Sequence, residues 1–165
     1  RNSGKSTILY QLAYRSQPFT IPTPAFNKEI FKYRSRSIHL WDLGCHETRR
    51  FWIWEKLHIG AKGLIYVVDS SNPEVLDDSK AEFQRILDIK GLAGLPLLIY
   101  ANKTDIKQLT TEEIAEEFNL FSLSDREWHI QQSDARERQG LFEGLDWLIN
   151  TIRKQESANK VPEKK

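Results

Sequence analysis

One cysteine, no methionine and almost no net charge set the first limits on this chain of 165 residues. A lone cysteine, Cys45, cannot close an internal disulfide, so the cystine-stapled class of small secreted domain is excluded and a reducing intracellular setting is favoured. Lys and Arg number 24 against 23 Asp and Glu, a formal charge of +1. With no excess to draw polyphosphate along a whole face, general nucleic-acid binding loses its electrostatic basis. No apolar run approaches the roughly 20 residues that span a bilayer. The last residues, Val161-Pro162-Glu163-Lys164-Lys165, hold no cysteine for prenylation. The missing methionine, with Arg at position 1, leads to the expectation that the chain is a fragment of a longer one. What is present, 39% hydrophobic and 28% charged residues, suffices for one core and one domain.

Short apolar runs alternate with helical patterns. Arg36 to Leu43 reads as a strand with Phe26 to Phe31 as its hairpin partner across a turn at Tyr33-Arg34-Ser35. Leu64-Ile65-Tyr66-Val67-Val68, ending in Asp69, has the pattern of a strand buried on both faces. Leu97 to Ala101 is another such run, and Trp128-His129-Ile130 a short third. Between them, Asn72-Pro73 opens a helix carrying Leu76, Phe83, Ile86 and Leu87. Thr110 and Glu113 form a capping box ahead of Ile114, Ala115 and Phe118. Leu141, Leu145, Leu148, Ile149 and Ile152 make the core-facing stripe of a last helix. This alternation predicts an α/β fold, a mostly parallel sheet with helices on both faces, over residues 1–154. Residues 155–165 are polar and read as a disordered tail.

The chemistry begins at the first residues. Asn2-Ser3-Gly4-Lys5-Ser6-Thr7 resembles the end of a phosphate-binding loop, G-x-x-x-x-G-K-[ST], followed at once by the helical run Ile8 to Leu12. Backbone N–H groups and the positive helix end capture an anion there. Lys5 adds a point charge near the β- and γ-phosphates, and the Ser6 hydroxyl is suited to Mg²⁺. Alone, the four residues Gly4 to Thr7 also fit a plain helix start. Downstream, Trp41-Asp42-Leu43-Gly44 ends a strand with a carboxylate, either a second-shell partner of the metal or simply a strand-terminal aspartate. Asn102-Lys103-Thr104-Asp105 follows a buried strand; the Asp105 carboxylate can accept from guanine N1–H and N2–H₂, donors that adenine lacks. Lys103 would lay its stem along the base, Asn102 would tie this loop to the phosphate loop, and in Ser133-Asp134-Ala135 the Ala135 N–H would donate to guanine O6. Each element follows a strand's C-terminal end, where open α/β sheets bind ligands.

On these residues the sequence resembles the ADP-ribosylation factor (Arf) and Arf-like small GTPases. The likeness covers nearly the whole chain and includes Gly4 to Tyr10, Thr20-Ile21-Pro22-Thr23 with Phe26-Asn27, Trp41 to Gly44, Tyr100 to Lys103, and Gly140 to Leu148. It implies the P-loop NTPase fold of small GTPases with an antiparallel interswitch hairpin over residues 26–42. The first strand and the start of the phosphate loop would lie before residue 1, and a chain lacking that central strand would fold poorly by itself. The resemblance further implies bound GTP or GDP with Mg²⁺, the metal held by Ser6 and Thr23 with Asp42 behind, and Thr7 near the α-phosphate. It implies an aromatic effector surface from Phe26, Trp41 and Trp54, though Trp41 serves equally as core packing. It implies an exchange factor, an activating protein, a role in intracellular membrane traffic, and a cytoplasmic location with peripheral membrane contact through a segment before residue 1.

Three departures bear on turnover. Where the family reads x-Gly-Gly-Gln after Trp41-Asp42, this chain reads Leu43-Gly44-Cys45-His46. Cys45 replaces the glycine whose N–H meets the γ-phosphate, and its Cβ restricts the backbone. His46 replaces the glutamine that positions water, although the related Sar branch carries histidine there. Pro24-Ala25 stiffens the first switch, and the stretch Thr48 to Trp54 is one residue longer than usual. With Lys5 and His46 as the catalytic pair, slow hydrolysis dependent on an activating protein is expected. The alternatives are a hydrolysis-deficient GTP-binding adaptor and an adenine-nucleotide P-loop kinase. Cys45 beside His46 also admits a redox or metal reading, disfavoured because no second cysteine or spaced histidine accompanies it.

Overall fold

The computed structural model describes residues 3–15, 26–44, 59–71, 76–103 and 109–159. In chain order these form α1 (Lys5–Tyr14), β1 (Phe26–Tyr33), β2 (Arg36–Leu43), β3 (Leu64–Asp69), α2 (Leu76–Leu87), β4 (Leu97–Asn102), α3 (Thr111–Glu117), β5 (Trp128–Ser133) and α4 (Leu141–Ala158).

β4 is the middle of a parallel three-stranded sheet ordered β3-β4-β5. All six of its residues are buried, as its unbroken apolar run predicts. Successive side chains alternate faces. Leu97, Ile99 and Ala101 pack with Phe83 of α2 and Ile114 and Ala115 of α3. Leu98 and Tyr100 pack with Ile8 and Leu12 of α1 and Leu141 and Leu145 of α4. Helices thus cover both faces. The registers run Leu64↔Leu97 to Asp69↔Asn102 and Leu97↔Trp128 to Asn102↔Ser133. Asp69, Asn102 and Ser133 therefore form one row along the C-terminal edge of the sheet.

β1 and β2 form a separate antiparallel hairpin, Phe26↔Leu43 to Tyr33↔Arg36. Its two-residue turn has Arg34 at φ 44° and Ser35 at φ 63°, the doubly left-handed geometry that matches the twist of paired strands. The tip is fastened to α4: the Tyr33 ring stacks on Phe142 with centroids 5.5 Å apart, Tyr33 Oη donates to Asp146 Oδ1 at 2.9 Å, and Arg34 pairs with Asp146 Oδ2 at 2.5 Å. The base is fastened to α1 by Asn27 Nδ2 donating to Tyr10 Oη at 2.7 Å.

β2 and β3 share no ladder among the described residues. A cavity of about 700 Å³ lies between the hairpin and the parallel sheet, lined by Ile38 and Leu40 of one and Leu64 and Ile65 of the other. This explains one difference from expectation. β3 is not buried on both faces, because Leu64, Ile65 and Tyr66 line the cavity and are only half-buried.

Three boundaries also move. β1 runs to Tyr33 and β5 to Ser133, beyond the expected Phe31 and Ile130, since ladder partners exist for their polar residues. α4 continues to Ala158, so residues 155–158 are helical and not part of a disordered tail. Gln155 reaches the Gly94 carbonyl at 3.5 Å and Glu156 faces Lys62 at 3.5 Å, contacts that polarity alone does not reveal. The capping box at α3 is formed as expected. Thr110 Oγ1 accepts from the Glu113 N–H at 3.1 Å, and Glu113 Oε2 accepts from the Thr110 N–H at 2.7 Å. Asn72-Pro73 lies outside the described residues.

Candidate nucleotide site

The row of Asp69, Asn102 and Ser133 meets the start of α1 at the sheet edge. Gly4 precedes α1 at φ 95°, a conformation glycine adopts freely, and among the described residues no side chain caps the helix. A Cβ on Gly4 would sit 2.3 Å from Asn102 Nδ2, so only glycine lets the two loops approach. The uncapped first turn leaves the positive end of a ten-residue helix facing this edge, with Lys5 at its first position.

Asn102 is the joint of the site. It is 2% exposed. Its Nδ2 donates to the Ser3 carbonyl at 2.8 Å, and its Oδ1 accepts from the Ala135 N–H at 3.0 Å and from Ser133 Oγ at 3.3 Å. One amide thereby ties the loops after β4 and β5 to the segment before α1, the role expected for it. The same bonds place Ala135, expected from sequence beside the base, next to this amide, with its N–H donating to Asn102 Oδ1.

Asp134 is turned into its own loop. Its Oδ1 accepts from the N–H groups of Arg136 at 2.8 Å and Glu137 at 3.3 Å, and its backbone pairs with Gln139. Gln11, 2% exposed on α1, donates from Nε2 to the Arg136 carbonyl at 3.2 Å and so clamps this loop to the helix. Nothing in the sequence separates Gln11 from a solvent-facing helical polar residue; its burial arises from the loop folding over it.

On the other side of α1, Ser6 Oγ donates to Asp42 Oδ2, and Asp42 is 5% exposed at the end of β2. The hydroxyl and carboxylate singled out from sequence, 36 residues apart, are in contact. Thr7 is half-buried in the first turn. Lys103, at φ 71°, sends its ammonium to Asp69 Oδ2 at 2.5 Å. Burial pushes the Asp69 carboxyl up, but Lys103 together with the Ser71 hydroxyl and N–H outweighs it and holds the group below the usual carboxylate range. Asp69 ends an apolar strand with a carboxylate just as Asp42 does, and its contact with Lys103 is not signalled by any motif spacing.

Phe26 and Trp41 pack together on the hairpin with centroids 5.5 Å apart and ring planes tilted by 49°, and Lys28 Nζ lies 4.7 Å from the centre of the Trp41 ring. Both aromatics remain exposed, Phe26 by 48% and Trp41 by 36%, which favours a surface over core packing. Asn2, Thr23, Cys45, His46, Trp54 and Asp105 lie outside the described residues.

A glycine-turned helix start, a strand-end carboxylate and an asparagine joint, all on the C-terminal edge of a parallel sheet, define a P-loop nucleotide-binding fold of the small-GTPase kind. Comparison with known proteins agrees. The family model for the ADP-ribosylation factor family matches residues 1–152. The chain is 36% identical over 151 residues to ADP-ribosylation factor K of Dictyostelium discoideum and 37% identical over 152 residues to ADP-ribosylation factor J of the same organism. Each match covers 91% of this chain and 80% of the relative. Among solved structures, the Arl6 BBS3 small GTPase of Trypanosoma brucei, determined with the nucleotide analogue GppNp, superposes with a TM-score of 0.83 at 29% identity, covering 93% of each chain. The chain belongs to the ADP-ribosylation factor family of small GTPases.

Proposed function

We propose that this protein is a guanine-nucleotide switch that binds GTP and GDP with Mg²⁺, hydrolyses GTP slowly, and presents the Phe26/Trp41 face to effectors in intracellular membrane traffic. The observation that carries the reading is the Asn102 joint, which draws the segment before α1 and two strand-end loops into one edge. Family membership supports the nucleotide class.

The residues fit the ligands by their chemistry. The N–H groups at the start of α1, with Gly4 admitting close approach, suit a polyphosphate, and Lys5 supplies a compact cation beside it. Ser6 and Asp42 are hard oxygen donors in contact, the set that Mg²⁺ prefers, with Thr23 as the further ligand. Bound Mg²⁺ would neutralise charge developing on the phosphates. Asp105 would select guanine, with Lys103 lining the base. Asp134, turned into its own loop, shapes the base end and does not reach across it. Cys45 in place of glycine and His46 in place of glutamine are consistent with slow turnover, with an arginine from an activating protein adding about 10³–10⁵ in rate.

Single-turnover hydrolysis of GTP by the intact protein, with and without candidate activating proteins, tests the switch. Release of phosphate accelerated by a partner is expected. No γ-phosphate loss under any condition would leave a GTP-binding adaptor, and displacement of bound nucleotide by ATP as readily as by GTP would overturn the guanine assignment.

A further inference from the structure

Asp69 closes β3 opposite Asn102, is 8% exposed, and has both carboxylate oxygens engaged. Oδ2 accepts from Lys103 Nζ at 2.5 Å; Oδ1 accepts from Ser71 Oγ at 2.6 Å and the Ser71 N–H at 3.2 Å. The carboxylate is thus oriented from behind by Ser71 and, among the described residues, aimed at the one cation Lys103. The pair is not needed to hold the two strand ends together. They are already joined by the parallel ladder and by Ser70, whose N–H and hydroxyl both donate to the Asn102 carbonyl at 3.0 and 2.7 Å. Lys103 also occupies a left-handed backbone conformation that non-glycine residues adopt only when their surroundings impose it. A lysine stem has four soft torsions, and a flat ring stacking on an unanchored stem must freeze them. Fixing the ammonium on a buried, oriented carboxylate removes that cost before the ligand arrives.

We infer that Asp69 is a positioning residue of the base site, anchoring the Lys103 ammonium so that the lysine stem stands as a preformed wall for the purine. The inference rests on the guanine-nucleotide reading above and names a residue that acts only through Lys103.

The test is a double-mutant cycle on the rate of GDP release from the intact, Mg²⁺-loaded protein, followed by displacement of a fluorescent GDP analogue. Asp69→Asn removes the charge and releases GDP about tenfold faster; Asp69→Glu, which keeps the charge, recovers part of the difference. In a Lys103→Met background, which keeps an unbranched apolar stem but no ammonium, Asp69→Asn adds no further acceleration. A purely structural role would accelerate release equally with and without the ammonium, and that result overturns the inference, as does an unchanged rate on Asp69→Asn alone. Should Asp69→Asn fail to fold, Ser71→Ala carries the same cycle, since it loosens the carboxylate and leaves the charge: acceleration only where Lys103 is present supports the anchor, and acceleration in both backgrounds or neither refutes it. Failure of the wild-type protein to bind guanine nucleotide refutes the functional reading itself, and the anchor with it. A null cycle on a protein that binds normally refutes the anchor alone.

Discussion

Replacing Asn102 by alanine should separate this site from the rest of the fold more sharply than any other single change. The side chain is 2% exposed and makes three bonds, to the Ser3 carbonyl, the Ala135 N–H and Ser133 Oγ. Truncation leaves those groups without their partner in a buried setting, at about 1–3 kcal/mol for each group left unsatisfied. Ser133 Oγ keeps the Ala101 carbonyl at 3.5 Å as a weak alternative, so two groups bear most of the loss. The expected destabilisation is about 2–6 kcal/mol, a large share of the margin of about 5–15 kcal/mol that a domain possesses. Urea denaturation of the wild-type and Asn102→Ala proteins, read by tryptophan fluorescence with and without GDP, measures it. Asn102→Asp adds a control. It keeps the acceptor for Ala135 and Ser133 but sets a carboxylate oxygen against the Ser3 carbonyl, so it should also weaken nucleotide retention. A loss below about 1 kcal/mol in Asn102→Ala, together with unchanged GDP binding, would refute the argument that this amide holds the loops together.

Gly144→Ala should destabilise α4, although alanine normally gains about 1 kcal/mol over glycine inside a helix. Its Cβ would lie 2.7 Å from Tyr100 Cε1 and 3.0 Å from Tyr100 Oη, so overpacking of about 1–3 kcal/mol outweighs the propensity gain; a raised melting temperature would contradict this. Thr110→Ala removes the α3 capping box and should cost about 1 kcal/mol in the denaturation midpoint analysis. Asp69 is held below the usual carboxylate range, so its contribution to stability is complete above about pH 4 and is lost as pH falls through its folded-state value. The wild type should therefore lose stability more steeply than Asp69→Asn on acidification below about pH 4, and parallel curves would count against the ion pair. Asp105→Asn should weaken GTP and favour xanthosine triphosphate in competition binding, with an unchanged preference opposing the assigned base contact.

The strands were legible because their signals are local. An unbroken apolar run marks β4, a turn at Tyr33-Arg34-Ser35 marks the hairpin, and the Thr110/Glu113 spacing encodes its own cap. The Ser6–Asp42 contact was legible for another reason: a helix-start hydroxyl and a strand-end carboxylate each have a recognisable sequence setting. What escaped depends on tertiary placement. The half-burial of Leu64 to Tyr66 is decided by the cavity beside β3, and the burial of Gln11 by a loop 125 residues away. The bond from the Ala135 N–H to Asn102 joins residues 33 apart in the chain, a contact no motif spacing reports. Asp69 carried the same strand-end signature as Asp42 but no spacing to a motif, and only its approach to Lys103 reveals it.

Competition binding on the intact protein in magnesium-containing buffer, GDP against ADP for a fluorescent GDP analogue, tests the guanine-switch account most directly. Displacement by GDP at concentrations orders of magnitude below those needed with ADP, abolished when the metal is chelated and Lys5 is changed to alanine, is the expected result. Equal displacement by both diphosphates, or no retention of the analogue at all, would contradict it.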